Sequence, residues 1–222
     1  MSTLKAFIFD LDGVITDSAE YHYLAWKTLA DELGITFSRE LNEELKGVSR
    51  MDSLEKILEF GNKETEFTNE EKEELAKKKN EHYVQLIKKI SPADILPGIE
   101  ELLIEIKSAG LGLGLASASK NASAVLESLN LKKNFDVIVD VNALKKGKPD
   151  PEIFLKAAEL LNVQPDNCIG VEDAIAGVES IKSAGMFAVA IGPKNQFSTA
   201  DIVYQTTAEL SYNEITERFI NR

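Results

Sequence analysis

The feature that most constrains this chain is a repeated pairing: a short, wholly apolar run, then a stretch with apolar residues at helical spacing. The apolar runs fall at Ala6–Phe9, 111–116, 135–139, 168–171 and Phe187–Ile191. Strands buried on both faces of a parallel sheet read as continuous apolar runs rather than as alternation. The intervening stretches carry helix punctuation. Pro97-Gly98 opens one, with Ile99, Leu102, Leu103 and Ile106 on one face and Gly110 as its stop. Another spans about 121–129. Asp150-Pro151 supplies an N-cap and a proline at the first helical position before Ile153, Phe154, Ala157, Ala158 and Leu161. The last runs from about 174 to 184, with Gly185 ending it. This alternation predicts an α/β, doubly wound parallel sheet.

One section breaks the pattern. Residues 17–90 offer helical periodicity only, at 24–33, 39–45, 51–60 and 70–88. It reads as an α-helical cap inserted after the first strand, with Ser91-Pro92-Ala93-Asp94 as its return linker. The expected division is therefore a core of residues 1–16 and 91–222 and a helical cap of residues 17–90, able to swing as a lid.

Charge narrows the function. The formal net charge is −12, which argues against nucleic acid and membrane surfaces as partners. No apolar run is long enough to span a bilayer, and the N-terminus lacks the layout of a signal peptide. The single cysteine, Cys168, excludes an internal disulfide, suits a reducing cytoplasmic setting and sits in an apolar run as a structural thiol.

Four motifs follow predicted strands. Asp10-Leu11-Asp12-Gly13-Val14 places two carboxylates at the carboxyl end of the first strand, where doubly wound sheets bind ligands. Their proximity calls for a cation or a shared proton. Gly170-Val171-Glu172-Asp173 brings two more carboxylates to the same edge, a donor set suited to a hard cation such as Mg²⁺. Ser117-Ala118-Ser119-Lys120-Asn121 offers hydroxyls and backbone N–H groups at a helix start, suited to phosphate. Gly147-Lys148-Pro149-Asp150 adds a positive charge. Singly, each motif also reads as a turn, a cap or a solvated charge.

In this order, the four motifs resemble those of the haloacid dehalogenase superfamily. The resemblance implies that Asp10 is a nucleophile forming an aspartyl-phosphate and Asp12 the general acid and base. It makes Ser117 and Lys148 phosphate-binding groups. Asp10, Glu172, Asp173 and the backbone carbonyl of Asp12 would hold Mg²⁺. Within the insertion, Gly13–His22, Leu45-Lys46-Gly47-Val48-Ser49-Arg50 and Asp52-Ser53-Leu54 look like the β-phosphoglucomutase branch. By that resemblance His22, Lys46, Gly47, Arg50, Ser53 and Lys79, with Asn80 beside it, face the substrate, together with Ala118 and Asn121 of the core. Trp26 reads as packing rather than as a sugar platform. Two positions depart from the branch: Gly147 and Ala174 stand where serines are expected.

The implied reaction interconverts β-D-glucose 1-phosphate and glucose 6-phosphate, with glucose 1,6-bisphosphate as activating phosphoryl donor and intermediate. The implied partner is a small phosphosugar and the expected state a monomer. The alternative is a capped phosphatase hydrolysing a small sugar phosphate, which would share every core residue.

Overall fold

The computed structural model describes residues 3–46 and 48–222. Six parallel strands, β1 (Ala6–Phe9), β2 (Gly112–Leu115), β3 (Val137–Ile138), β4 (Cys168–Glu172), β5 (Phe187–Ile191) and β6 (Ile202–Tyr204), form one sheet in the order β3-β2-β1-β4-β5-β6. The sheet is doubly wound. The chain builds outward from β1 to β2 and β3, returns to β4 on the other side of β1, and continues to β6.

Helices cover both faces of the sheet. On one side α5 (Ile99–Ser108), α6 (Ala122–Ser128) and α9 (Tyr212–Ile220) pack over Phe7, Phe9, Leu113, Ile169 and Val189. On the other, α7 (Glu152–Leu160) and α8 (Ile175–Ser183) pack over Ala6, Ile8, Cys168, Ala188 and Ala190. That two-sided burial is why the strands are apolar apart from Glu172, which ends β4. Cys168 lies buried here, and burial pushes its thiol up to about 12, which makes it an inert packing group.

Four further helices lie between β1 and β2: α1 (Ala19–Glu32), α2 (Arg39–Glu43), α3 (Arg50–Phe60) and α4 (Asn69–Ile87). They surround an apolar cluster of their own that includes Trp26, Leu29, Phe37, Leu54, Ile57 and Leu58. The starts of α3 and α4 have local causes. The Ser49 hydroxyl accepts from the Asp52 N–H at α3, and at α4 Thr68 and Glu71 make a reciprocal capping box. The chain's departure and return are joined. Thr16 pairs with Ile95, its hydroxyl donates to the Asp94 carbonyl at 2.7 Å, and Leu96 N–H donates to the Ile15 carbonyl at 2.9 Å.

The structure differs from the sequence expectations at three places. β6 and α9 were not anticipated. α1 begins at Ala19 rather than near residue 24, because its first turn has no apolar row: Ala19 and His22 line a cavity and Glu20 pairs with Arg39. Finally, Pro151 occupies the cap position of α7 and Glu152 starts the helix, while the Asp150 carboxylate accepts from the Glu152 N–H at 3.0 Å.

Candidate active site

The order of the sheet reverses between β1 and β4, and Asp10 and Glu172 stand there side by side. Phe9 is in register with Val171, and the Asp10 N–H donates to the Val171 carbonyl at 3.0 Å. Asp10 is 4% exposed. Its Oδ2 accepts from the Asp12 N–H at 3.1 Å, and its Oδ1 accepts from Lys148 Nζ at 2.7 Å. The carboxylate is thus oriented by two donors before any ligand arrives.

The turn after β1 can be made only by glycine. Gly13 has φ of +78°, and a Cβ there would stand 2.1 Å from Asp173 Oδ2. The close approach brings Asp173 over the first motif. Carboxylate oxygens of Asp10, Glu172 and Asp173 lie within 4.8 Å of one another. Burial, then the charges of Glu172 and Asp10, hold the Asp173 carboxyl well above the usual carboxylate range. Three clustered carboxylates against one buried lysine leave this corner short of positive charge. The donor set is all oxygen, and it fits a hard divalent cation.

Lys148 and Glu172 form the back of the site. Glu172 is fully buried, and its Oε2 accepts from the N–H groups of Asp173 and Ala174 at 2.8 Å each. Its Oε1 accepts from Lys148 Nζ at 2.6 Å. Burial opposes the lysine's charge, yet Asp10 and Glu172 outweigh it and hold the ammonium above its ordinary range. Gly177 on α8 makes room for this arrangement: a Cβ there would meet Glu172 Oε1 at 1.9 Å.

Asp12 faces the cavity, with 28% of its side chain exposed. The Ser18 hydroxyl donates to its Oδ1, and His22 Nε2 lies 4.0 Å from its Oδ2. Burial and then the neighbouring Asp10 raise its carboxyl to about 7.

The cavity is about 540 Å³. Asp10, Asp12 and Asp173 form its floor; Lys46, Arg50, Ser53 and Lys79 line it from the helical side. Ala118 and Asn121 close it from the third motif. Ser117 is buried beneath them, its Oγ accepting from the Ser119 N–H at 3.1 Å. Lys148, Glu172 and Ser117 therefore stand behind the floor rather than in the wall. Lys46 Nζ reaches Glu43 at 2.8 Å and stands 4.0 Å from Asp173. Asn80 ties the two sides together: its Oδ1 accepts from Arg50 at 2.7 Å and from Asn121 Nδ2 at 2.8 Å. Gly47 lies outside the described residues.

Two contributors escaped sequence reasoning. Ser18 precedes α1 and reads as an N-cap, but its side chain makes no capping bond and goes to Asp12 instead. Gly177 carries no signal in the helical pattern, since the need for it comes from the Glu172 side chain folding back over the first turn of α8. Trp26 packs in the helical cluster as expected, while its ring also lies 4.5 Å from Lys79 Nζ.

Comparison with known proteins places the whole chain in a family. Residues 4–185 match the family described as haloacid dehalogenase-like hydrolase. The chain is 51% identical to a β-phosphoglucomutase of Bacillus subtilis over 97% of its own length and 96% of that protein's. It is 34% identical to a phosphorylated carbohydrates phosphatase of Thermotoga maritima, with 82% of each chain covered. A crystal structure of β-phosphoglucomutase from Clostridium difficile superimposes with a TM-score of 0.97 at 52% identity, covering 99% of this chain and 98% of that one. The chain belongs to the haloacid dehalogenase-like hydrolase family and, within it, to the β-phosphoglucomutase group.

Proposed function

We propose that the chain is a Mg²⁺-dependent mutase interconverting β-D-glucose 1-phosphate and glucose 6-phosphate through an aspartyl-phosphate and bound glucose 1,6-bisphosphate. The observation that carries this reading is the opposition of two chemistries across one cavity. A buried, pre-oriented carboxylate, Asp10, lies on the floor; a guanidinium, Arg50, lies on the facing helices. A phosphatase needs to hold one phosphate, whereas a mutase must hold a second while the first is transferred.

Phosphorylated Asp10 gives its phosphoryl group to a sugar hydroxyl as the bond to the Asp10 oxygen breaks, and Asp12 takes the hydroxyl proton. After the bisphosphate reorients, Asp10 accepts the other phosphoryl group and Asp12 returns the proton to the departing oxygen. A carboxyl raised to about 7 suits both halves of that task. Lys148 orients Asp10 and adds positive charge behind it, and the Ser117 region supplies donors to the transferring group. Asp10, Glu172, Asp173 and the Asp12 carbonyl would hold Mg²⁺, which when bound offsets charge on the phosphoryl oxygens. Arg50 can hold the distal phosphate with its planar donors. We take residues 17–90 to be a cap that excludes water while the aspartyl-phosphate exists, and the chain to act as a cytoplasmic monomer.

A phosphorus NMR time course tests this, with β-glucose 1-phosphate, Mg²⁺ and a trace of the bisphosphate. Glucose 6-phosphate should accumulate with little inorganic phosphate. Inorganic phosphate as the main product would support the second reading, a capped sugar-phosphate phosphatase, which the similarity to the Thermotoga phosphatase keeps in play.

A further inference from the structure

We propose that Lys79 is a site of reversible imine formation with small phosphorylated aldehydes, which would enter the cavity by their phosphate and block it. Three described lysines are buried: Lys72, Lys79 and Lys148. Lys72 is paired with Glu55 at 2.9 Å, and Lys148 with Asp10 at 2.7 Å and Glu172 at 2.6 Å. Lys79 is different. Among the described residues no carboxylate oxygen comes within ion-pair reach of its Nζ. Its nearest polar partner is His22 Nδ1 at 3.0 Å, and its Nζ also sits 4.5 Å from the Trp26 ring and 5.0 Å from the Tyr83 ring. It is one of the residues that line the cavity, at 3% exposure.

The groups facing Lys79 come from several elements: His22 and Trp26 on α1, Arg50 on α3, Tyr83 on its own helix, and Asp12 from the loop after β1. Burial and then the Arg50 charge bring the ammonium down to about 7. A sizeable share of Lys79 is therefore a free amine near neutral pH, whereas an ordinary lysine is almost wholly protonated there. Arg50 lies in the same wall and the third motif lines another, so a phosphate has donors to meet within the cavity. A phosphorylated aldehyde held by its phosphate would present its carbonyl to this amine at high effective concentration.

The chemistry balances without a further reactant. The amine lone pair forms the C–N bond as the carbonyl pair moves to oxygen. The nitrogen gives up its two protons one after the other, and both reach that oxygen, with His22 Nδ1 at 3.0 Å from Nζ placed to relay them. The oxygen then leaves as water as the C=N bond closes. Amine and aldehyde thus give imine and water, with no oxidation.

The inference uses the same anion-holding cavity as the mutase reading, so the test reads chemistry at Lys79 directly. The full-length enzyme is incubated with pyridoxal 5′-phosphate near neutral pH, the imine is fixed by borohydride, which delivers hydride to the C=N bond, and the adduct is located by peptide mass mapping. A single dominant adduct on Lys79 is expected. Unphosphorylated pyridoxal should label it roughly tenfold more slowly, as loss of a charge-assisted anchor implies, and excess inorganic phosphate should slow labelling by the phosphorylated probe. Labelling spread over exposed lysines, with Lys79 unmodified, overturns the proposal even if mutase turnover is intact. Labelling of Lys79 in an enzyme that proves to be a phosphatase leaves it standing and removes only the mutase reading. Equal rates for pyridoxal and its phosphate would overturn the claim that the phosphate guides the aldehyde to Lys79.

Discussion

Replacing Gly177 by alanine sets two opposing effects of known size against each other. In a helix interior, Gly→Ala favours folding by about 0.5–1 kcal/mol. Here the new methyl carbon would lie 1.9 Å from Glu172 Oε1 and 2.0 Å from its carboxyl carbon. To reach ordinary contact the carboxylate must retreat by roughly 1.5 Å or more. It has nowhere to go cheaply. It is fully buried, bonded to Lys148 at 2.6 Å and to two backbone N–H groups at 2.8 Å. Retreat on that scale breaks at least one of these bonds, and overpacking of a well-filled site typically costs about 1–3 kcal/mol. The clash should win, leaving the variant about 1–2 kcal/mol less stable in urea unfolding. Turnover should fall further than stability alone explains, because Lys148 loses one of the two carboxylates that fix it beside Asp10. The double variant Gly177→Ala, Glu172→Gln should recover little activity but show a smaller added destabilisation than the sum of its parts, since the two changes act on one contact. A Gly177→Ala protein as stable as wild type and fully active would refute the reasoning. It would mean that Glu172 can rearrange freely, and that the Lys148 clamp does not orient Asp10.

Asp12→Asn should lower the rate of phosphoryl exchange with sugar hydroxyls by about 10²–10⁴-fold, and a near-normal rate in a coupled glucose 6-phosphate assay would move the proton carrier elsewhere. Arg50→Ala should cut mutase flux roughly 10- to 100-fold while hardly changing hydrolysis of acetyl phosphate, which has no distal phosphate; equal losses in both rates would make Arg50 structural. Lys148→Ala should destabilise the metal-free protein by about 3–5 kcal/mol, measured by urea unfolding, because clustered buried carboxylates lose their internal cation. Lys79 should make stability rise with pH above about 7: it loses its proton there in the folded chain but only near 10.4 when unfolded, so the unfolded state binds more protons between those values. Urea midpoints at both ends of that window should show the rise in wild type and not in Lys79→Met.

Much of the fold was legible because a parallel sheet covered on both sides has a simple signature. Ala6–Phe9, residues 168–171 and Phe187–Ile191 are buried at every position, and each reads as an unbroken apolar run. The last strand escaped because it is a three-residue edge strand, with Val203 only partly buried, too short to stand out. α9 escaped with it, although Ile215 and Phe219 are buried against the sheet's outer half. The start of α1 was obscured because His22 packs against Tyr83, with ring centroids 4.1 Å apart, at the cavity edge and not in an apolar row. For the site, Asp10, Asp12, Glu172 and Asp173 were visible because each follows a strand. Asn80 as a bridge depends on partners distant in the chain, whereas Ser18 and Gly177 meet Asp12 and Glu172 within six residues, through turns that helical periodicity does not reveal.

The pairing of Thr16 with Ile95 has a consequence for how such enzymes diversify. The chain leaves the sheet and comes back at one point, so the excursion between them is, to the rest of the molecule, a loop already closed. Doubling the length of a flexible closed loop adds only about 0.6 kcal/mol of entropic penalty. Material of very different size and shape could therefore be hung from this one seam without disturbing the strand ends that carry Asp10 and Glu172. The strand ends that carry Asp10 and Glu172 and the four-helix excursion are thus separable stretches of sequence, joined at Thr16 and Ile95.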